Sequence, residues 1–130
     1  MVDRQIADPN PNPETQEFWN AANRGDFVLR YCLECGKTHW YPRAICPHCF
    51  GEKMQWRKAS GRGIVYTFSV MRRTKIPYAI AYIALDEGPK LISNIVDCNL
   101  DQIAIGQAVE IVFKKSENGF SVPMFKPLFT

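Results

Sequence analysis

The stretch Cys32-Leu33-Glu34-Cys35 is followed, after ten intervening residues, by Cys46-Pro47-His48-Cys49, and this repeated spacing decides how the first part of the chain folds. Each Cys-x-x-Cys turn, or knuckle, can aim two sulfur atoms at one ion, so two knuckles supply the four thiolates of a closed structural zinc site. The predicted ligands are Cys32, Cys35, Cys46 and Cys49. We expect zinc in this shell, and redox iron is the alternative that the same four thiols leave open.

The residues around the knuckles refine this prediction. Gly36 follows the first knuckle, where the chain must turn sharply and glycine reaches positive φ without penalty, whereas Phe50 holds the equivalent place in the second. His39 and His48 are the two histidines of the chain. A mixed ligand set is an alternative, but four thiols already suffice, and we expect His48 to lie on the surface. This segment is too small to bury a core alone, so zinc removal should unfold it.

The N-terminal segment is predicted to form an arm and a short helix. Residues 1–13 are rich in Pro, Asn and Asp, and Asn12-Pro13-Glu14 is typical of an N-cap, a first-turn proline and an early acid. We expect the helix to run to about Arg24 and to end at Gly25. Its apolar stripe consists of Phe18, Trp19 and Ala22. The stripe could pack on the protein's own ribbon or on a partner subunit, and the sequence leaves both alternatives open.

Beyond the cysteine segment, apolar residues alternate with a period of two. The predicted strands are Ile64–Met71, Tyr78–Leu85, Lys90–Val96, Ala108–Lys114 and Phe120–Phe125. Asp86-Glu87-Gly88 and Asn118-Gly119 supply hairpin turns, and five strands in this order indicate an OB-fold barrel. The chain is therefore predicted to be mainly β, with an arm and helix at 1–28, a four-cysteine zinc ribbon at 29–58 and a five-stranded OB-fold domain at 59–130.

One predicted strand, Tyr78–Leu85, is apolar on both faces, whereas a small barrel in water should carry polar residues outside. The preceding strand repeats the pattern at Ile64, Val65, Phe68 and Val70. The helix or the ribbon could cover this outer face, but the apolar area is wider than one short helix hides, which favours a partner protein. The candidate interface residues are Phe18, Trp19, Tyr78 and Tyr82.

An ordered set of motifs resembles the domain-of-unknown-function 35 family across about residues 18–127. The motifs are the two knuckles, Ser60-Gly61-Arg62-Gly63, Val65-Tyr66-Thr67-Phe68, Pro77-Tyr78, Leu85-Asp86-Glu87-Gly88, Ile105-Gly106 and Pro123-Met124-Phe125-Lys126-Pro127. The resemblance implies a rubredoxin-like zinc ribbon before an OB fold. It also implies an accessory role beside thiolase-like condensing enzymes, aldolases or hot-dog-fold hydratases that act on acyl-CoA, with the catalytic residues on the partner. Family ribbons carry glycine after both knuckles, so Phe50 departs from the pattern.

The residues offer little for independent catalysis. An acyl-transfer enzyme needs a nucleophile, a base and an oxyanion hole, and both histidines lie in the cysteine segment. Cys98 is the remaining thiol, and the neighbouring Asp97 should raise its pKa rather than activate it. Together with the resemblance, this predicts a non-catalytic accessory subunit of an acyl-CoA-processing enzyme, with a thiolase-like acyltransferase, an aldolase or a hydratase-type catalytic subunit as the partner.

The competing class of function is single-stranded nucleic-acid binding, because zinc ribbons and OB folds both serve it. The chain carries 16 Lys and Arg against 13 Asp and Glu, a formal charge of +3, which four zinc-bound thiolates lower to about +1. Basic nucleic-acid-binding domains have a pI above ~9, whereas the pI of this chain is 8.6. Charge therefore makes nucleic acid the weaker candidate.

The local run Arg72-Arg73-Thr74-Lys75 is the densest basic cluster of the sequence. A charge run of this kind is commonly a solvated loop between strands. The functional alternative is that Arg72, Arg73 and Lys75 grip the phosphates of coenzyme A at the boundary with the partner.

No segment predicts membrane insertion. The longest uncharged apolar run, Ile76–Leu85, has ten residues, half of the ~20 needed to cross a bilayer. The N-terminus has charged residues and no following apolar stretch, so we expect no secretory signal, no membrane partner and a cytoplasmic location.

Overall fold

The computed structural model describes residues 4–128, in which one α-helix and eight strands form. Helix α1 spans Gln16–Asn23. The strands are β1 (Val28–Cys32), β2 (Thr38–His39), β3 (Met54–Lys58), β4 (Arg62–Met71), β5 (Tyr78–Leu85), β6 (Lys90–Ile95), β7 (Ala108–Lys115) and β8 (Ser121–Pro127). Across these residues, no helix has the length and apolar character needed to cross a bilayer.

The turn that leads into α1 is held by Asn12, the predicted N-cap, although the residue directly before the helix is Thr15, whose side chain caps no helix N–H group. The Asn12 Oδ1 atom accepts hydrogen bonds from the backbone N–H groups of Glu14 (3.0 Å) and Thr15 (3.1 Å). In return, Thr15 Oγ1 accepts from the Asn12 N–H at 3.0 Å. This reciprocal arrangement satisfies donors that a helix start leaves free. The regular helix begins at Gln16, and its last residue, Asn23, lies one residue before the predicted end.

The ribbon contains an antiparallel sheet with the order β2-β1-β3. Val28 and Leu29 of β1 are buried in the common core, and elsewhere the sheet carries cations stacked on aromatic rings. The Arg30 guanidinium lies 4.7 Å from the Trp56 ring centre, and the Arg57 guanidinium lies 3.4 Å from that of Tyr31. Such pairs stabilise a surface but do not replace a hydrophobic core. The ribbon therefore needs a further source of stability.

The remaining five strands form a closed barrel with the order β4-β5-β6-β8-β7, in which β7 pairs with β4. These strands confirm the predicted OB fold, and β5 has the predicted bounds. The barrel closes tightly at Gly63, where a Cβ atom would lie 2.5 Å from the Ala84 carbonyl oxygen. Glycine is thus required for the β4–β5 approach. The Asp86–Gly88 hairpin lies close to the end of the ribbon, because Glu87 accepts a hydrogen bond of 2.8 Å from the N–H of Ser60, two residues after β3.

One buried cluster connects the barrel interior with helix α1. The Phe125 ring of β8 makes an edge contact with Phe27, with ring centres 6.4 Å apart, and Phe27 makes another with Phe18 at 6.2 Å. Only 1% of Phe18 is exposed. The prediction that Phe18 contacts a partner is therefore wrong, because α1 packs its apolar face on β1 and β8 of the same chain.

The described part of the N-terminal arm lies against the barrel; residues 1–3 of the predicted arm are outside the described range. The Asp8 carboxylate accepts hydrogen bonds from Ser116 Oγ (2.6 Å) and from the Asn118 N–H (2.9 Å), in the β7–β8 turn. Farther toward the N-terminus, Arg4 donates to Asn94 Oδ1 at 2.8 Å and lies 4.1 Å from the Tyr78 ring centre. The arm thus shields part of the outer face around Tyr78.

Candidate metal centre and docking surface

The structure brings the four predicted ligands together. All four sulfur atoms lie within 4.8 Å of one another, with 3.6 Å between those of Cys32 and Cys49 and 3.8 Å between those of Cys35 and Cys46. A tetrahedral zinc ion with Zn–S bonds of about 2.3 Å places its sulfur ligands about 3.8 Å apart. The cluster therefore fits zinc, and its four protein ligands fill the tetrahedron, which is typical of a structural ion rather than a catalytic one.

The two knuckles have the same backbone geometry despite their different fifth residues. The Gly36 N–H donates to the Cys32 carbonyl, and the Phe50 N–H donates to the Cys46 carbonyl, both at 2.9 Å. Gly36 has φ 75° and Phe50 has φ 64°. Phe50 thus adopts the left-handed conformation that favours glycine, and 79% of Phe50 is exposed.

The backbone around Cys32 favours its thiolate, whereas burial and the neighbouring thiols raise the pKa of Cys35 in the same knuckle. The Cys35 N–H donates to Cys32 Sγ at 3.5 Å, and this hydrogen bond is the largest of the effects that lower the pKa of Cys32 to about 7. Metal binding requires deprotonated thiols, so backbone donors of this kind assist it. Cys32 and Cys46 are buried, whereas Cys49 lies at the surface. The exposed Cys49 side of the cluster is where an ion could enter.

The two histidines lie outside the sulfur cluster. His48 is exposed, as the sequence predicts. His39 is only 2% exposed, and neither ring nitrogen has a hydrogen-bond partner among the described residues. Burial, followed by the positive charges of His48, Arg30 and Arg43, lowers the pKa of His39. Its burial was not predictable, because it follows from the pairing of His39 with Arg30 between β2 and β1.

Cys98 is half-buried at the edge of the core. Burial, and then the Asp97 carboxylate, raises the pKa of its thiol, as expected from the sequence. Asp97 itself accepts two hydrogen bonds of 2.9 Å from Lys114 Nζ. A thiol with a raised pKa is a poor nucleophile at neutral pH.

Four large apolar side chains lie half-exposed on the outer side of β4, β5 and β6, and we call them the wall patch. They are Ile64, Tyr66, Tyr82 and Ile92, each between 46% and 55% exposed. Tyr82 is directly opposite Ile92 in the β5–β6 pairing, and Ile64 is opposite Ala84. A β-bulge between Val65 and Thr67 places Tyr66 beside them. Contiguous exposed apolar residues of this kind mark contact surfaces.

The predicted interface residues lie in different environments in the structure. Tyr82 lies in the wall patch. Tyr78 is partly covered by Arg4, and Trp19 packs against the core next to Phe18. The apolar pattern of β4 already indicated Ile64, and alternation along β6 could have indicated Ile92, but nothing in the sequence locates the bulge that presents Tyr66.

The basic loop is at the other end of the barrel from the ribbon. Arg72 forms an ion pair with Asp101 at 2.8 Å, and both side chains are largely exposed. Arg73 and Lys75 are also exposed. The ten residues of β4 separate this loop from the ribbon, roughly 30 Å along an extended strand. Nothing in the loop geometry marks it as a phosphate site, so that role stays a prediction.

Comparisons with known proteins agree with the two-part architecture. The rubredoxin-like zinc ribbon domain of ChsH2 matches residues 19–55, and the C-terminal OB-fold domain of ChsH2 matches residues 56–114. A DUF35 domain-containing scaffold protein of Methanothermobacter thermautotrophicus is 40% identical over 78% of this chain and 83% of its own. A probable enoyl-CoA hydratase alpha subunit of Thermomonospora curvata is 28% identical over 92% of this chain and 39% of that subunit.

A solved structure shows the same arrangement of ribbon and barrel. A chain of the Ltp2-ChsH2(DUF35) aldolase matches with a TM-score of 0.82 and 28% identity, over 92% of this chain and 98% of that one. The resemblance inferred from the ordered motifs is thus confirmed by sequence and by structure. This chain belongs to the DUF35 family, whose members join a rubredoxin-like zinc ribbon to an OB-fold domain.

Proposed function

We propose that the chain is a non-catalytic accessory subunit of an acyl-CoA-processing enzyme of the thiolase or aldolase type, and that its wall patch docks the catalytic subunit. The wall patch is the observation on which this proposal depends. Four half-exposed apolar side chains on adjacent strands cost solvation free energy in an isolated protein, and a partner surface would remove them from water.

The relatives support the kind of partner. One is described as a scaffold protein, one belongs to an aldolase assembly, and one is a probable enoyl-CoA hydratase subunit. The match covers 98% of the chain in the aldolase but 39% of the hydratase subunit. This difference favours the aldolase type over the hydratase type.

The chemistry of the chain supports a scaffolding role. The thiol of Cys98 has a raised pKa, and the four remaining cysteines form the sulfur cluster. We propose that this cluster holds one zinc ion, which would cross-link the two knuckles and fix the ribbon against the barrel. Metal analysis of the purified protein should give one zinc per chain, and a visible absorption band would indicate iron instead.

The docking proposal is tested by charging the wall patch. Ile92→Glu places a carboxylate in the patch directly opposite Tyr82, and Ile105→Glu is the matched control, because Ile105 is 69% exposed and lies outside the patch. Each variant carries an affinity tag and is expressed in cells of the source organism. Co-purifying proteins are then identified, and the purified material is assayed with acyl-CoA thioesters.

We expect wild type and Ile105→Glu to retain a catalytic partner and thioester activity, and Ile92→Glu to lose both. The proposal fails if the chain alone converts a thioester or if Ile92→Glu keeps its partner. Tyr66 and Tyr82 could also stack bases, so binding of single-stranded oligonucleotide with a steep salt dependence would favour the nucleic-acid alternative.

A further inference from the structure

The N-terminal arm lies on the face of the barrel where OB folds bind their ligands. That face consists of the second and third strands and of two loops, one between the first and second strands and one between the fourth and fifth. Here the strands are β5 and β6, and the loops are residues 72–77 and 116–120. Arg4 contacts both strands, and Asp8 contacts the second loop. A segment of the same chain therefore occupies part of the ligand face.

The second loop provides a seat for a carboxylate. Ser116 is only 7% exposed, and its Oγ accepts the Phe120 N–H at 3.0 Å, which leaves the hydroxyl proton to donate to Asp8 at 2.6 Å. The Asn118 N–H donates to the same carboxylate at 2.9 Å, and the Asn118 side-chain amide donates to its other oxygen. Three donors thus converge on one carboxylate, and the Phe120 bond orients the hydroxyl independently of the arm.

The two strands provide a seat for a cation. The Arg4 guanidinium lies 4.1 Å from the Tyr78 ring centre and donates to Asn94 Oδ1 at 2.8 Å. The Asn94 Nδ2 donates to the Ala79 carbonyl of the neighbouring strand at 2.9 Å, so the amide oxygen is held toward the arm. An aromatic ring beside an oriented amide oxygen suits a guanidinium or an ammonium group. Like the carboxylate seat, it is shaped by contacts that do not involve the arm.

The arm itself adds little to the folded core. Residues 4–12 form no helix, strand or turn, and none of them is buried. Between the two seats, the Ile6 carbonyl accepts a hydrogen bond of 3.0 Å from the Glu117 N–H. The matched zinc ribbon and OB-fold domains begin at residue 19, so the arm lies outside both. A segment with so few buried contacts opens at a low free-energy cost, and its seats can then take another segment.

We propose that this face is a docking site for an extended peptide segment of a partner protein, and that the arm is a strap that occupies the site in the free chain. The seats define the segment: it carries a basic side chain and, four residues later, a carboxylate. The Glu117 N–H would bind a main-chain carbonyl between these two anchors, so the segment would be recognised through its backbone and through two side chains. This binding does not depend on docking at the wall patch.

The surroundings favour a protein over a nucleic acid as the occupant. The negative charge of Glu117 lies beside the carboxylate seat and opposes the repeated phosphates of a nucleic acid. The site also continues the wall patch, because Tyr78 and Tyr82 lie on the same side of β5, roughly 13 Å apart along the strand. A partner protein could therefore contact both surfaces.

The test is a titration of the full-length zinc-loaded chain with a synthetic peptide of residues 1–11, followed by the backbone amide signals in NMR. The receptor is Arg4→Ala/Asp8→Ala, which releases the arm, and the wild-type chain is compared with it. A control peptide with Arg4→Asp/Asp8→Arg has the same composition and net charge. A chain that lacks residues 1–9 but keeps Asn12 serves as a second receptor. Zinc content and the dispersion of the amide signals establish that each receptor is folded.

Two further substitutions in the released-arm receptor locate the site. Tyr78→Leu removes the ring of the cation seat. Tyr82→Leu is the matched control, because it removes the same ring four residues farther along the same side of β5. We expect Tyr78→Leu to lower the affinity about fivefold and Tyr82→Leu to stay within twofold.

We expect both receptors to bind the peptide saturably at millimolar concentration, with shifts at Tyr78, Asn94 and residues 116–118. The control peptide, and the wild-type chain whose own arm competes, should bind at least tenfold more weakly. The proposal is overturned if neither receptor binds the peptide, if the control peptide or the wild-type chain binds equally well, or if Tyr82→Leu loses as much affinity as Tyr78→Leu. It is also overturned if the released-arm chain binds a single-stranded oligonucleotide in place of the peptide.

Discussion

The ribbon and the barrel are stabilised by different physical means. The barrel interior contains fully buried aliphatic and aromatic residues, among them Val65, Ile83 and Phe125. The ribbon sheet contributes Val28 and Leu29 to the same core but otherwise carries cation–aromatic pairs, and the loops beside it leave four large apolar residues exposed. These residues are Leu33, Tyr41, Ile45 and Phe50. A chain of this size can therefore combine one part whose stability comes from a hydrophobic core with another whose stability comes from a bound metal.

Metal removal should have the largest effect and should separate the two parts. Cys46→Ser, or a chelator, removes a ligand of the cluster, and structural zinc contributes roughly 10–16 kcal/mol in isolated zinc modules. We expect residues 32–54 to lose protection from amide hydrogen exchange while the barrel strands keep theirs. Cys98→Ser is the matched control, because Cys98 lies outside the cluster, and it should keep both zinc and protection. Equal loss of protection in both parts would show that they form one cooperative unit.

Truncation of a core side chain should destabilise the barrel, whereas the same change in the ribbon should have little effect. Phe125→Ala removes a fully buried ring from the cluster shared by the barrel and α1, and should lower the free energy of unfolding by about 3–5 kcal/mol. Phe50→Ala makes the same chemical change at an exposed site and should alter it by about 0.5 kcal/mol or less. Denaturant titration of the zinc-loaded protein measures both. A similar loss in the two variants would contradict the assignment of the core.

The sequence predicted these two parts for different reasons. Cysteine spacing is a local pattern, so it specified the sulfur cluster directly, and strand alternation specified the barrel. The surface on which α1 packs was not predictable, because the apolar stripe at Phe18 and Trp19 does not indicate whether the same chain or a partner covers it.

The two knuckles allow a finer comparison within the ribbon. Phe50→Gly relieves a left-handed conformation and should raise the free energy of unfolding of the ribbon by about 1 kcal/mol. Gly36→Ala introduces the same strain at the matching place and should lower it by about 1 kcal/mol. The new Cβ would lie 3.5 Å from the Tyr31 hydroxyl, an ordinary contact, so the cost is conformational. Competition with a zinc chelator measures both variants, and changes of the same sign would contradict the equivalence of the knuckles.

The smallest expected effect concerns the arm, which is held on the barrel by a carboxylate rather than by a core or a metal. Hydrogen bonds from Ser116 and from the Asn118 N–H lower the pKa of Asp8 below its usual 3.8. Because the folded pKa is the lower one, the stabilisation is complete above the unfolded value and is lost as the pH falls through the folded pKa. We expect the amide signals of the β7–β8 turn to shift with a midpoint below 3.8, while the barrel strands stay folded.

Asp8→Asn should abolish this acid transition and loosen the arm already at neutral pH, whereas Asp101→Asn, which removes an exposed carboxylate paired with Arg72, should leave it unchanged. If the transition persists in Asp8→Asn, another group holds the arm. The result also bears on docking, because the arm places Arg4 over Tyr78 at the edge of the outer face. A loosened arm would expose Tyr78 beside the wall patch, so Asp8→Asn would change the area that a partner can bury.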